Sequence, residues 1–262
     1  MAGHRTPKIA VGPDPVPDWL VEAVHDGGGE VVPLVDAEGI VWADVSDAGG
    51  LSDAVAAARD ATWVQLPWAG VETFVDVLDH DHVWTCGKGA YADPVAEIAL
   101  ALGLAGLRGI HTYAAATGWS DQRGRNLLGA RVTVVGGGGI AASLIRLLQP
   151  FGCHITVVRS TVQHMEGVDD VVGADRLADV LPGADLVVLA LALTPETVGL
   201  IGAEELGLME PHAWIVNVAR GRHIVTDDLV DALRSGAIGG AGLEVTDPEP
   251  LPDGHPLWSL EN

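Results

Sequence analysis

The run Val132-Thr-Val-Val-Gly-Gly-Gly-Gly-Ile-Ala141 constrains the fold more than any other part of the chain. Its β-branched start reads as a buried strand, and the consecutive glycines must end that strand in a turn. Leu144, Ile145, Leu147 and Leu148 then recur at helical spacing, and Ile155 to Val158 reads as a second strand. Strand, glycine turn, helix and parallel strand form the opening of a dinucleotide-binding unit. Gly136, Gly138 and Ala141 fit G-x-G-x-x-A, the pattern that gives a tight turn, close backbone approach to a pyrophosphate and close helix–strand packing. Free N–H groups at the start of the helix would meet the phosphate charge.

Where such a unit usually ends its second strand on an acid that holds the ribose hydroxyls, this chain has Arg159, followed by Ser160 and Thr161. A guanidinium accepts no hydrogen bond from a ribose, but it can clamp a 2′-phosphate as a planar, permanently charged fork. NADP(H) is therefore the preferred expectation, with NAD(H) possible. A solvated arginine at a strand end is the alternative reading.

Charge bears on that expectation. The 262 residues hold 36 acidic and 14 basic side chains, a net charge of -22. Long-range repulsion of that size argues against nucleic-acid or anionic-membrane partners. It also means that a polyanionic cofactor requires arginines concentrated locally, which singles out Arg159 and Arg220. With 48% apolar residues, the chain has material for one large or two modest cores. Cys86 and Cys153 show neither metal spacing nor a disulfide framework, and the start lacks the apolar core of a signal peptide. The expectation is a cytoplasmic protein without a membrane span.

Before the glycine stretch, strands are expected at Lys8–Gly12, Glu30–Leu34, Gly39–Trp42, Thr62–Leu66 and His82–Cys86. Helical stretches at Pro17–Val24, Leu51–Arg59 and Val71–Leu78 separate them. This alternation predicts a parallel, flavodoxin-like α/β domain. Val95–Leu107 reads as a long connecting helix with Ile98, Leu102 and Ala105 on one face. After it the βαβ rhythm resumes. Strands are expected at Leu186–Leu191, Ala213–Val218 and Gly239–Val245, with a helix at Thr226–Arg234 whose N-cap is Thr226. The chain is thus α/β, with two doubly wound parallel-sheet domains, a first at residues 1–103 and a Rossmann domain at residues 104–262.

Arg220 follows a buried strand at its carboxyl end, the side on which open α/β sheets bind ligands. It could bind a carboxylate bidentately and polarise a neighbouring carbonyl, or it could cap carbonyls or join an ion pair. Glu249, in a proline-rich loop, could reach the same crevice or be an exposed loop acid. The motifs Leu193-Thr-Pro-Glu-Thr197, Asn217-Val-Ala-Arg-Gly221, Ala232-Leu-Arg-Ser-Gly236, Gly240-Ala-Gly-Leu-Glu-Val and Pro248-Glu-Pro-Leu-Pro together resemble the D-isomer-specific 2-hydroxyacid dehydrogenase family. Trp63-Val-Gln-Leu-Pro-Trp-Ala-Gly-Val and Ala92-Asp-Pro-Val-Ala-Glu-Ile-Ala-Leu are similar to its substrate loop and connecting helix. The resemblance implies two similar α/β domains with a cleft between them, a homodimer through the second, and hydride exchange between a nicotinamide and a small 2-oxo or 2-hydroxy acid such as glyoxylate or hydroxypyruvate.

Carried over by motif, Arg220 binds and orients the substrate, and the loop of Trp68, Ala69 and Gly70 holds its carboxylate. Gly139 and Ile140 lie along the pyrophosphate, and Val218 and Ala219 near the nicotinamide. Glu249 matches the acid that orients a catalytic histidine and raises its pKa. Glu244 stands where the family usually has an aspartate that contacts the nicotinamide amide. The family's histidine falls in a Pro-His motif shortly after the asparagine matching Asn262. The resemblance thus implies a chain shortened at its C-terminus, lacking that histidine and the helix that returns to the first domain. Among the ten histidines, His255 is nearest in sequence to Glu249, and His80 and His82 flank Asp81 without a third ligand in spacing. A non-catalytic dinucleotide-binding sensor or scaffold is the alternative function.

Overall fold

The computed structural model describes residues 5–262 and divides into two compact units, one ending at Tyr91 and the other running from Ala92 to Asn262. The first contains β1 (Lys8–Gly12), α1 (Asp18–Asp26), β2 (Glu30–Val31), β3 (Gly39–Trp42), α2 (Ala48–Ala57), β4 (Trp63–Gln65) and β5 (Val83–Thr85). All pairings are parallel and the strand order is β2-β1-β3-β4-β5, the flavodoxin-like order the alternation predicts. Ile40, Leu51, Val64, Leu66 and Phe74 fill its core. β4 and β5 are each one residue shorter at either end than expected, and two further elements are cut back more. β2 stops at Val31, because Pro33 has no N–H to continue a ladder, and Leu34–Asp36 forms a 3-10 turn instead. Val71–Leu78 makes only a 3-10 turn at Glu72–Phe74, which buries Phe74.

The second unit contains α3 (Ala92–Leu107), α4 (Ile110–Ala115), β6 (Arg131–Val135), α5 (Gly139–Leu148), β7 (His154–Val158), β8 (Asp170–Val172), α6 (Leu177–Val180), β9 (Leu186–Leu189), α7 (Ala203–Leu208), β10 (Trp214–Asn217), α8 (Thr226–Ser235) and β11 (Gly240–Leu243). Its six parallel strands run β11-β10-β9-β6-β7-β8, the doubly wound dinucleotide-binding order with the switch point between β6 and β9. The uniform apolarity of β9 reflects burial on both faces. Leu186 and Val188 enter one core with Leu144 and Leu148 of α5, whereas Val187 and Leu189 enter the other with Leu206 and Leu229.

The boundary read from the sequence, after residue 103, lies inside α3, and the whole of that helix belongs to the second unit. Of the residues expected on one face, Leu102 packs against the core beside Gly242, whereas Ile98 is 46% exposed, and the buried positions are Ala96, Ala99, Gly103, Gly106 and Leu107. Small residues let the helix backbone approach closely: a Cβ at Gly103 would lie 2.9 Å from Leu186 Cδ2, and one at Gly106 2.2 Å from the Trp214 ring. The outer end of α3 is fastened to α5 by Asp93, which accepts from Ser143 Oγ at 2.6 Å and Arg146 Nη2 at 2.7 Å. At α8, the expected N-cap Thr226 is the first helical residue, after Val225. Its hydroxyl donates instead to Asp247 O at 2.7 Å.

Candidate functional site

The glycine turn has the geometry its residue types require. Gly136 has φ +117°, and a Cβ there would lie 2.1 Å from Ala190 O, so only glycine fits. Its N–H donates to Val158 O at 2.8 Å, tying the turn to β7. No side chain caps α5 at Gly138, and a Cβ at Gly138 would meet nothing within 4 Å. Gly139 and Ile140 form the first turn of α5. Their N–H groups lack the intrahelical acceptors that later residues have, and they border that open space. Ala141 is fully buried and draws α5 against the sheet. An uncapped helix start over an open glycine fits a pyrophosphate.

Arg159 follows β7, its own N–H donating to Val172 O at 3.0 Å. Its side chain turns back over the glycines: a Cβ at Gly137 would lie 2.9 Å from Nε and 3.1 Å from Cζ. The Gln163 amide oxygen, in the orientation that satisfies both groups, accepts from Nη1 and Nη2 at 3.2 and 3.3 Å. Among the described residues no carboxylate forms an ion pair with this guanidinium. Ser160 and Thr161 are exposed beside it. Gln163 escaped the sequence reading, since no spacing rule links it to Arg159.

Arg220 sits three residues beyond β10 and is held through its backbone. The buried Asn217 accepts from Ala219 N–H at 3.0 Å and donates from Nδ2 to Arg220 O at 2.9 Å, while Arg220 Nη1 donates to Ala219 O at 2.7 Å. Val218 and Ala219 are buried between. At Gly221 the chain is crossed by the segment that leads to Glu249: a Cβ would lie 2.0 Å from both C and O of Thr246. The Asp247-Pro248 and Glu249-Pro250 peptides of that loop are cis, and Thr246 Oγ1 donates to Pro248 O at 2.8 Å. Glu244 is anchored by its N–H to Asn217 O at 3.0 Å. The side chains of Glu244 and Glu249 are exposed, and both residues line a cavity of ≈ 600 Å³ walled by Leu102, Gly106, Trp214 and Leu243.

In the first unit, Trp68, Ala69 and Gly70 follow β4. Gly87 N–H donates to Trp68 O at 3.0 Å, and the Trp68 ring lies 5.6 Å from that of Tyr91 at 50°. Trp68 is 48% exposed, and no described hydrogen bond uses the N–H of Ala69 or Gly70.

The histidines divide clearly. His255 Nδ1 accepts from Leu257 N–H at 3.3 Å and so serves its own 3-10 turn. His82 Nδ1 lies 2.8 Å from Asp79 Oδ2, and this hydrogen bond is the main reason the Asp79 carboxyl is held down at about 2. No group of three potential metal ligands exists among the described residues. His223, which the sequence reading passed over, is fully buried two residues after Gly221. Its Nδ1 lies 2.9 Å from Thr197 O, joining the Leu193–Thr197 and Asn217–Gly221 motifs. No helix among the described residues is long and apolar enough to cross a membrane.

Comparison with known proteins gives the chain its relatives. Residues 98–262 match the model of the D-isomer specific 2-hydroxyacid dehydrogenase NAD binding domain. A Corynebacterium melassecola protein, described as uncharacterized and encoded in a proB 3′ region, is 38% identical over 253 residues, 92% of this chain and 81% of the relative. Glyoxylate/hydroxypyruvate reductase A of Serratia proteamaculans is 35% identical over 127 residues, 48% of this chain but only 41% of the relative. Among solved structures, a D-isomer specific 2-hydroxyacid dehydrogenase from Xanthobacter autotrophicus Py2, in complex with NADPH and MES, superposes with a TM-score of 0.85. It is 28% identical, and the match covers 98% of this chain and 86% of that one.

Proposed function

The chain belongs to the D-isomer specific 2-hydroxyacid dehydrogenase family, and from that premise we propose that it exchanges a hydride between NADP(H) and a small 2-oxo or 2-hydroxy acid of the glyoxylate or hydroxypyruvate type. The observation that carries the cofactor preference is Arg159. Its fork lies against the glycine turn, bonded to a neutral amide and to no carboxylate among the described residues, in a protein with 36 acidic side chains. A charge left available in this way suits a 2′-phosphate. The NADPH in the Xanthobacter structure supports the same reading.

When bound, the dinucleotide supplies the hydride, and the chain's own residues bind and orient. Gly138, Gly139 and Ile140 receive the pyrophosphate, and Ser160 and Thr161 add hydroxyls beside Arg159. Val218 and Ala219 border the nicotinamide, whose amide Glu244 contacts. Arg220, its backbone fixed by Asn217, binds the substrate carboxylate and polarises the carbonyl. The backbone around Ala69 and Gly70 supplies further donors, and Trp68 shapes the loop. Glu249 orients and electrostatically supports an imidazolium that gives its proton to the carbonyl oxygen. Among the described residues no histidine is bonded to Glu249.

The cofactor assignment is tested by titrating NADPH and NADH against the 262-residue chain and against Arg159→Asp. A shift of preference toward NADH is expected, and equal NADPH affinity before and after the change refutes the assignment. Activity is tested with a panel of 2-oxo acids, in which oxidation of NADPH with glyoxylate or hydroxypyruvate is the expected result. NADPH binding with no turnover of any 2-oxo acid would instead favour a sensor or scaffold.

A further inference from the structure

The glycine stretch contains a residue that the dinucleotide pattern does not ask for. Gly136, Gly138 and Ala141 account for the turn, the open approach and the helix packing. Gly137 is the x between the first two glycines, has no positive φ, and is not crossed by backbone. What fills the place of its missing side chain is Arg159, with Nε 2.9 Å, Cδ 3.0 Å and Cζ 3.1 Å from where a Cβ would stand. The other side of the fork is met by Gln163, whose amide oxygen accepts from both terminal nitrogens. The arginine is thus held at three levels: by its backbone to Val172 O, by its aliphatic stem and Nε over Gly137, and by its tip at Gln163.

We infer that Gly137 and Gln163 are specificity-determining positioning residues, which seat Arg159 for a 2′-phosphorylated adenine dinucleotide. This rests on the NADP(H) reading above. Gly137 acts by its emptiness. Any side chain there competes with the guanidinium for one volume, and the arginine yields because it is the far end of a flexible chain while the turn is backbone. Gln163 acts by neutrality. It is long enough to fix the fork but adds no negative charge to offset it, so the arginine's field stays available to an incoming dianion. A glutamate of the same length would neutralise the fork and repel the phosphate.

The chain reads this out by binding alone. Wild type, Arg159→Ala, Gly137→Ala, Gly137→Val and Gln163→Glu are titrated calorimetrically with NADPH, NADH, 5′-AMP and its 2′-phosphorylated form. The two small probes lack the nicotinamide half and differ from each other only in the 2′-phosphate. Gly137→Val and Gln163→Glu are each expected to weaken NADPH and the 2′-phosphorylated probe by about tenfold, the scale of one misplaced charge-assisted hydrogen bond, and to leave NADH and AMP within about twofold. Gly137→Ala should fall between these variants and wild type. The NADP(H) reading itself fails if Arg159→Ala leaves the NADPH to NADH ratio unchanged. The present inference is overturned if Arg159→Ala lowers that ratio but the Gly137 and Gln163 variants do not, or if Gly137→Val weakens both dinucleotides equally, as a residue of the pyrophosphate turn would. Should Gly137→Val not fold, Gly137→Ala and Gln163→Glu decide by the same ratios.

Discussion

Replacing Gly221 by alanine should unseat the Glu249 loop while leaving the dinucleotide turn intact. The alanine Cβ would stand 2.0 Å from C and O of Thr246 and 2.5 Å from Asp247 N. These atoms are backbone, so no side chain can rotate away, and relief to ordinary contact requires the segment to retreat by roughly 1.5 Å. A movement of that size also breaks the hydrogen bond from Thr226 Oγ1 to Asp247 O, now 2.7 Å long. Overpacking of this kind costs about 1 to 3 kcal/mol and the lost hydrogen bond about 1 more. For a unit of this size the sum lowers the melting temperature by roughly 4 to 16 °C. Calorimetry on the wild-type and Gly221→Ala chains gives that number, and hydrogen exchange over residues 246–250 locates the loosening. Affinity for 2′-phosphorylated 5′-AMP, which lacks the nicotinamide, should hold within about twofold, since Gly136 and Gly138 lie at another strand end. A melting temperature within 1 °C of wild type would refute the reasoning, because it would mean that the loop is not pressed on Gly221 in solution.

Other consequences are as concrete. Gly106→Ala and Gly207→Ala should have opposite signs: the first drives a methyl into the buried Trp214 ring at 2.2 Å, whereas the second has nothing within 4 Å. Thermal melts should show the first losing about 1 to 3 kcal/mol and the second gaining about 0.5 to 1. Asp93 is held below the ordinary carboxylate range, first by the Ser143 hydroxyl and then by Arg146. Its contribution is therefore present above the unfolded pKa of about 3.9 and lost as pH falls through the lower folded value. The stability gap between wild type and Asp93→Asn, measured by urea unfolding, should be full near neutral pH and narrow as the pH falls below the ordinary carboxylate range. Burial pushes the Cys153 thiol up, and its Sγ lies 3.2 Å from Leu127 O. Mass spectrometry should find Cys153 alkylated more slowly than Cys86 at about pH 8, and equal rates would contradict the structure.

What could be read in the sequence was whatever depends on local order along the chain. The strand before Gly136, the turn it demands, the helix of Leu144 and Leu148 and the arginine ending β7 are all set by neighbours a few residues away, and the structure shows each of them. The alternation that predicted two parallel sheets rests on the same local physics. What could not be read depends on which segments approach one another. On α3, Leu102 packs inward but Ile98 does not, and the fully buried positions are mostly alanines and glycines, because β9 and β10 approach the helix backbone closely at Gly103 and Gly106. Thr226 has the chemistry of an N-cap, yet its hydroxyl serves Asp247, a residue brought beside it by the crossing at Gly221. Val71–Leu78 has helical composition and forms one 3-10 turn around Phe74. The candidate site divides the same way. Its arginines and acids stand out by type and position, whereas Gln163, His223 and the empty place at Gly137 acquire meaning only from their partners.

The small-residue face of α3 also sets how the dinucleotide-binding unit can be separated by protein engineering. A chain started at residue 104 would lack Gly103, the floor on which Leu186 of β9 rests, and Ala96 and Ala99, which are buried in the same core. It would also lose Asp93, the clasp on Ser143 and Arg146. One face of the central strands would then meet water, an invitation to aggregate. A chain started at Ala92 keeps that floor and the clasp, so the twelve residues from 92 to 103 decide whether a stand-alone cofactor-binding module has a closed core.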